Sequence, residues 1–472
     1  MEELSVDMVV IGSGPAGQKA AIQGAKLGKK VIIIEKSAPY PGGNCLFSGT
    51  IPSKTFREAV MILSRFYEKG FHPEEKETEL IAEVSINDLK RRLSRVLDDE
   101  RHMVLRQLLK NDIRLIHGTA QFENPHELLV LDDDQRLTHQ IHAKYFMIAT
   151  GSRPRNPVEI PFDNKIILDS TSLLGIDKIP ESMIVLGGGI IGSEYASFFA
   201  ALGTEVTVLD KRNRLLSSID SEIGIHLQTS LTEVGLKFMG GKEPEEISRI
   251  NDRAYVRCKD GTELDADILL YALGRTANVD SLGVDNAGIM MNEKGYIVVN
   301  ALFQTNHAHI YAVGDVIGGP SLASTSMEQG RLATLHAFGG MTHYFPDFYP
   351  VGIYTIPEIS SCGYTEDHLK EIGYRYEIGR AYYYETARGH IAGTNSGMLK
   401  ILFHAETLEI LGVHIIGRNA TELVHIGQIA MSFHAKIDYF IDQVFNYPTY
   451  AEGYRIAALN GFNKIKHLKN NR

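Results

Sequence analysis

Short apolar runs recur along this chain, and two of them stand in the same setting. Val6 to Ile11 leads into Gly12-Ser13-Gly14-Pro15-Ala16-Gly17, a helical stretch reaches Leu27, and a second apolar run, Val31 to Ile34, closes on Glu35. Ser182 to Leu186 leads into Gly187-Gly188-Gly189-Ile190-Ile191-Gly192, a helical stretch reaches Leu202, and Glu205 to Leu209 closes on Asp210. Strand, glycine-rich turn, helix and strand in that order predict a βαβ unit, twice. Helices are also predicted over about 54 to 67 and 86 to 110, with the charged stretch 68 to 79 as a solvated connection. Past Gly314-Asp315 another helix is expected from Met327 to His336, with Ser324 as its N-cap. From about 346 the chain becomes tyrosine-rich and carries no third turn of this kind, which marks a further domain.

In such turns the first glycine permits a tight bend, the second lets the backbone approach a pyrophosphate, and the third lets helix pack on strand. The helix N-terminus then faces anionic charge. An acid ending the second strand accepts from ribose hydroxyls, and Glu35 and Asp210 each stand 18 residues beyond the last glycine of their turn, Gly17 and Gly192, where that geometry needs them. Gly12, Gly14, Gly17 and Glu35 are one candidate dinucleotide site. Gly187, Gly189, Gly192 and Asp210 are a second. Two such sites in one chain predict hydride transfer, with a flavin held by one and a nicotinamide nucleotide visiting the other.

Composition narrows the alternatives. A chain of 472 residues exceeds one comfortable core, so two to three domains are expected. The net charge of -10 is spread among interspersed acids and bases, and no basic stripe offers itself to nucleic acid. No apolar run approaches the roughly 18 residues of a membrane span. Met1-Glu2-Glu3 opens no basic segment followed by a signal core, so the cytoplasm is the expected location. Three cysteines, Cys45, Cys258 and Cys362, are too few and too scattered for a disulfide framework or a four-ligand zinc site. His307 and His309 lack further ligands nearby and read as loop residues, so no metal is expected.

Several separated segments resemble the flavoprotein disulfide reductases, the family that contains glutathione reductase and dihydrolipoamide dehydrogenase, over essentially the whole chain. Ala149-Thr150-Gly151-Ser152-Arg153-Pro154 resembles the family's crossover into a nicotinamide domain, Ala272-Leu273-Gly274-Arg275-Thr276-Ala277-Asn278 the return, and Tyr311-Ala312-Val313-Gly314-Asp315 the strand and aspartate that hold the flavin's ribityl chain. The resemblance implies an α/β fold: two Rossmann-like dinucleotide-binding domains, for FAD (1-150 and 276-345) and NAD(P) (151-275), and a C-terminal α+β dimerisation domain (346-472). It implies tightly bound FAD, one per chain, with Gly43, Thr50, Lys54, Ala120, Thr150, Gly151, Asp315 and Ala323 added to the first site, and Ile190, Glu194, Lys211, Arg212 and Gly274 added to the second. Lys54 and Glu194 are the matches to a pair that tunes the flavin, which makes them the catalytic candidates. The helix after Ser321 is expected to turn its positive end toward reduced flavin.

Two departures from the family stand out. Its paired cysteines are spaced C-x-x-x-x-C, and here Gly43-Asn44-Cys45-Leu46-Phe47-Ser48-Gly49-Thr50 places Thr50 at the second; a threonine hydroxyl forms no disulfide and no thiolate. Its C-terminal base is a histidine in His-Pro-Thr-x-x-Glu, and here the segment is Tyr447-Pro448-Thr449-Tyr450-Ala451-Glu452. Dithiol exchange is therefore excluded, and Cys45 reads as a packed residue. Ile190 takes the position of a tyrosine gate, which implies either an open pocket or a core contact.

Asp210 favours NAD, whereas Lys211, Arg212 and Arg214 offer charge to a 2′-phosphate or form a solvated turn. NAD and NADP are both expected substrates. A flavoprotein that takes both nucleotides and has no thiol acceptor completes a cycle by transhydrogenation: NADPH reduces the flavin and leaves, and NAD enters the same pocket and reoxidises it. The rivals are an NAD(P)H dehydrogenase passing electrons to a quinone or other acceptor, and a flavin-bearing sensor or interaction protein. Self-association as a homodimer or larger assembly is expected, with Ile426, Ile429 and Phe433 serving as interface or as core.

Overall fold

A computed structural model describes residues 1–37, 41–68, 86–341, 345–393 and 396–470, without the side chains of 63–68, 86–89 and 466–470. Beyond Glu68, the charged stretch expected as a surface connection lies outside the described residues. Two compact units are present: Met1–Phe56, Asn87–Arg155 and Gly274–Pro346 form one, and Arg57–Ile86, Asn156–Leu273 and Asp347–Arg472 form the other.

In the first unit, Arg114–His117, Val31–Glu35, Glu2–Ile11 and Leu137–Ile148 lie side by side and parallel, with Ile310–Ala312 pairing parallel to Phe146–Ile148. The first half of Leu137–Ile148 pairs antiparallel with Glu127–Leu131, which pairs with Thr119–Asn124. Both faces of this sheet are covered, which is why its strands read as unbroken apolar runs. Val9, Ile11, Ile32 and Ile34 enter one core, while Met8, Val10, Val31 and Ile33 enter the other, as the two-residue period of a strand requires. The helices Pro15–Lys26 and Ala323–Ala337 pack closely: a Cβ on Gly330 would lie 2.2 Å from the carbonyl oxygen of Ala16, and the Thr334 hydroxyl donates to the Ala20 carbonyl at 3.2 Å. The chain leaves and re-enters this unit through an antiparallel pair, Ser152–Pro154 with Arg275–Ala277.

The second unit contains a five-stranded parallel sheet in the order Lys237–Gly240, Glu205–Asp210, Ser182–Leu186, Ile268–Tyr271 and Ile167–Leu168. A three-stranded antiparallel sheet, Pro244–Ile250, Arg253–Cys258 and Glu263–Ala266, adjoins it in sequence. The C-terminal region builds a separate antiparallel sheet: Val351–Ile353, Ile359–Gly363, Ile410–Ile416, Met398–His404 and Tyr376–Tyr382. Apolar residues of the helices Ala420–Ser432 and Glu452–Asn470, among them Val424, Tyr454 and Ala458, join its core.

Lys400 is wholly buried on the strand Met398–His404, its ammonium 3.0 Å from Asp220 Oδ1, 2.6 Å from Glu366 Oε2 and 2.9 Å from Glu222 Oε2. Arg380 pairs with Glu222 at 2.6 Å and Lys370 with Glu366 at 2.6 Å, so three carboxylates meet three cations. Asp220 caps its own helix, Ser221–Glu233, through the Glu222 N–H, and its other oxygen accepts from the Glu366 N–H at 3.0 Å. In return Asp367 accepts from the Ser221 N–H and hydroxyl, both at 2.9 Å. Burial works against ionisation of Asp220, Glu222 and Glu366, but the surrounding cations and N–H donors prevail and hold all three below the usual carboxylate range.

The helix after Gly314-Asp315 departs from expectation. It begins at Ala323 and runs to Ala337, with extended Leu322 at its N-cap and no side-chain cap. Ser324 therefore lies inside the first turn. The Thr325 hydroxyl turns back to the carbonyls of Pro320 and Leu322, at 3.0 and 2.9 Å, which ties the preceding loop to a helix start two residues earlier than a cap at Ser324 would give.

Candidate nucleotide and flavin sites

Each glycine turn is forced by its surroundings. Gly12 (φ +99°) has space for no side chain, since a Cβ there would meet the Ala149 carbonyl oxygen at 2.5 Å. At Gly17 a Cβ would lie 2.0 Å from the Gly12 oxygen, and at Gly192 it would lie 1.9 Å from the Gly187 oxygen; these contacts are the helix-to-strand approaches the third glycine permits. Gly14 and Gly189, by contrast, face open space, where a pyrophosphate would approach. Gly14 and Gly189 are also the N-caps of their helices, and neither helix start is capped by a side chain.

Other helices of the molecule satisfy the same end differently. Asp220 caps Ser221–Glu233, and at Ala420–Ser432 the buried Glu358 carboxylate accepts from the Thr421 N–H and hydroxyl, both at 3.3 Å. Protein carboxylates thus meet those positive ends, whereas no side chain caps the helices beginning at Pro15, Ile190 and Ala323.

The acids at the strand ends take part in the turns themselves. Glu35, 8% exposed, accepts from the Ser13 N–H at 3.0 Å, the Ser13 hydroxyl at 2.5 Å and the Ser37 N–H at 2.9 Å. Ser13 in turn accepts from the Gly42 N–H at 3.0 Å, and a Cβ on Gly43 would touch Gly14 Cα at 2.8 Å, so the loop entering the Gly43–Phe47 helix lies on the first turn. Ala120 is buried on Thr119–Asn124, just past the point where the Gly118 N–H reaches the Glu35 carbonyl.

Around the crossover, Ser152 acts as a hub. Its hydroxyl donates to Asp315 Oδ2 at 2.7 Å and accepts from Arg275 Nε at 2.8 Å, while its carbonyl accepts from Arg275 Nη2 at 2.8 Å and from the Asn44 amide. Gly314 (φ +77°) gives its N–H to the Gln329 side chain. Gly151 (φ +68°) gives its carbonyl to the Asn278 N–H, and the Thr150 hydroxyl is buried with no hydrogen-bond partner. An orphaned hydroxyl beside Gly12, an open Gly14 and uncapped helix starts fit a dinucleotide in the first unit. Ser13, Ser152, Arg275 and Gln329 were not singled out as site residues, although three of them sit inside motifs quoted from the sequence.

Lys54, half-buried, places its ammonium 3.3 Å from the Ser53 hydroxyl. Thr50 is exposed at the start of the helix Thr50–Glu68. Cys45 is a free thiol pushed up by burial, against a hydrogen bond to Thr50 that works the other way, the opposite of an activated thiolate. In the second unit, Glu194 is buried and accepts from the Tyr354 N–H at 2.8 Å, and Ser197 on the same helix accepts from the Ile356 N–H at 3.1 Å. Ile190 is exposed as the first residue of its helix. Gly274 (φ +109°) faces open space.

Asp210 is 3% exposed. Its Oδ2 accepts from the Gly188 N–H at 2.7 Å and from Arg212 Nη2 at 2.7 Å, and its Oδ1 accepts from the Arg212 N–H at 2.8 Å and from Arg212 Nε at 2.9 Å. Burial pushes this carboxyl up, but those donors win and it lies below the usual range. Lys211 is exposed, and Arg214 donates to the carbonyls of Ser217 and Ile219 at 3.2 and 3.3 Å.

Residues 6–330 match the family model described as pyridine nucleotide-disulphide oxidoreductase, and residues 349–458 match that family's dimerisation domain. The chain is 45% identical to the soluble pyridine nucleotide transhydrogenase of Mycobacterium bovis over 98% of both chains. It is 42% identical to the protein of that name from Pectobacterium atrosepticum, covering 98% of this chain and 99% of the relative. Among solved structures it is similar to the HOCl-induced flavoprotein disulfide reductase RclA from Escherichia coli, with a TM-score of 0.85 and 28% identity over 96% of this chain and 99% of that one.

Proposed function

This chain belongs to the pyridine nucleotide-disulphide oxidoreductase family, and on that premise we propose that it is a soluble transhydrogenase that moves hydride from NADPH to NAD in two half-reactions at one nucleotide pocket. The observation that carries this reading is that both glycine-turn units are complete while no second thiol accompanies Cys45. Cys258 and Cys362 are buried on Arg253–Cys258 and Ile359–Gly363, and burial pushes their thiols up, that of Cys362 to about 11.

FAD is assigned to the first unit, with Glu35 on the adenosine ribose, the turn Gly12–Gly17 on the pyrophosphate, and Asp315 with the 323–337 helix start on the flavin side. A bound flavin supplies a hydride acceptor that becomes a hydride donor, so the two nicotinamide nucleotides never need to meet. What the chain's own residues do is bind and orient. The turn Gly187–Gly192 receives the pyrophosphate of NADPH or NAD at a helix N-terminus. Ser152 fixes the Asp315 carboxylate, and Arg275 fixes Ser152. Lys54 is assigned to the flavin side of the first unit, where a cation favours negative charge arriving with the hydride, and Glu194 to the nucleotide side of the second.

Residues 349–458 match a dimerisation domain, which supports self-association. We assign a homodimer to this chain: Ile429, Phe433 and Tyr439 are exposed at 59, 80 and 51%, large apolar side chains that a partner would cover. Among the described residues no helix is long and apolar enough to cross a membrane, and a cytoplasmic location completes the reading.

The test is anaerobic. NADPH is added to the purified flavoprotein until the flavin bleaches, and thio-NAD is then added. Rapid reoxidation with one reduced thio-NAD per flavin is expected. A bleached flavin that ignores thio-NAD but is oxidised by a quinone would replace this reading with an NAD(P)H dehydrogenase.

A further inference from the structure

Resting on that reading, we propose that the Asp210–Arg212 ion pair is the element that lets one pocket take both nucleotides: a ribose 2′-hydroxyl draws on Asp210, a 2′-phosphate draws on Arg212, and each residue neutralises the other when its own ligand is absent. Of the three cations that follow the strand, the geometry selects one. Arg214 holds its guanidinium on the carbonyls of Ser217 and Ile219, inside its own loop. Lys211 is exposed and exerts its charge on Glu243. Arg212 alone of the three lies on the strand-end acid, with two nitrogens on its two oxygens, and its third nitrogen donates to the Ser217 hydroxyl at 2.9 Å.

The two partners differ in freedom. The Asp210 side chain is 2% exposed and the Arg212 side chain 45%. Two of the four donors on Asp210 are backbone N–H groups, of Gly188 and Arg212, which hold the carboxylate in register with the turn. The guanidinium supplies the other two from the solvent side, so it is the part able to move. A ribose hydroxyl that donates to Asp210 replaces a guanidinium nitrogen, one donor for another. A 2′-phosphate carries close to two negative charges and would be repelled by a bare carboxylate; with Arg212 beside it the strand end is neutral, and the planar fork offers paired N–H donors to the phosphate oxygens. Ser217 keeps the guanidinium near the strand end in either position.

Binding of adenosine 2′,5′-bisphosphate and of AMP to the FAD-loaded protein, by calorimetry, tests this without hydride transfer. Arg212→Met is expected to weaken the bisphosphate by about 10- to 100-fold, the size of a lost charge-assisted hydrogen-bond pair, and to leave AMP unchanged or tighter. Asp210→Asn is expected to weaken AMP and to leave the bisphosphate unchanged or tighter. Arg212→Lys, which keeps the charge and loses the fork, should fall between wild type and Arg212→Met for the bisphosphate. An Arg212→Met variant that binds both ligands as wild type does, or loses both equally, overturns the proposal, as does an Asp210→Asn variant that loses the bisphosphate. Because no reduction step is measured, failure of hydride exchange between NADPH and NAD would count against the function and leave this result readable.

Discussion

The two glycine turns share a scaffold and differ in what each does with its acid. At the first, Glu35 is satisfied by neutral donors, the Ser13 N–H and hydroxyl and the Ser37 N–H, so it adds a net negative charge that suits ribose hydroxyls and no phosphate. At the second, a glycine stands where Ser13 stands, and the acid turns to Arg212. The chain beyond Asp210 then runs to another buried acid, Asp220, which is locked to Lys400. One turn therefore carries an acid satisfied by neutral donors, and the other an acid balanced by a cation. Under the proposed function, a resident cofactor and an exchanging pair of substrates call for that difference.

The comparison is broken most forcefully at Lys400. Lys400→Met removes one partner from a buried cluster and leaves Asp220, Glu222 and Glu366 underpaired, at a cost of about 3–5 kcal/mol. Scanning calorimetry should show an early transition in the variant, and a loss below about 1 kcal/mol would contradict the role given to the cluster.

The same cluster predicts a pH dependence with a definite sign. Its three carboxylates are lowered in the folded chain, so the stability they contribute is present above the unfolded carboxylate values, about 4. It is lost as pH falls through the lower folded values. Calorimetry from pH 7 to pH 3 should show the wild-type transition falling steeply only at the acid end; a flat profile would contradict the assignment.

Next in size are the third glycines. Gly17→Ala and Gly192→Ala each press a methyl against a carbonyl oxygen, at 2.0 and 1.9 Å, and overpacking of this kind costs about 1–3 kcal/mol. Their functional effects should separate: Gly17→Ala is expected to purify with less flavin per chain by absorbance, and Gly192→Ala to keep its flavin but bleach poorly with NADPH. If Gly192→Ala loses flavin instead, the division of labour between the turns is wrong. The smallest effect belongs to Ser13→Ala, which removes the 2.5 Å hydroxyl bond to Glu35 and keeps the N–H. A loss of about 1 kcal/mol in flavin affinity, read by flavin release in mild denaturant, is expected; no change would mean that Ser13 merely accompanies the turn.

Much of this was legible in the sequence because the signals are local. Gly12, Gly17, Gly187 and Gly192 are needed for contacts within a few residues or across one strand, and Glu35 and Asp210 follow at a fixed distance. Ser324 misled because a serine before a helical stretch is a cap signal by itself, whereas the helix start is set by Leu322 and by the bonds of Thr325. Ser152 and Arg275 lay inside recognised segments, but their link to Asp315 joins residues 123 and 163 positions apart. Nothing in the local pattern announced Lys400: a lysine in an apolar strand becomes intelligible only when Asp220, Glu222 and Glu366 are brought to it by the fold.

In the proposed cycle NADPH and NAD use one pocket in turn. Initial rates of thio-NAD reduction, measured over a grid of NADPH and thio-NAD concentrations, test it most directly: parallel reciprocal plots, with each nucleotide inhibiting competitively against the other at high concentration, are the predicted result, and intersecting plots, which require both nucleotides bound together, would contradict it.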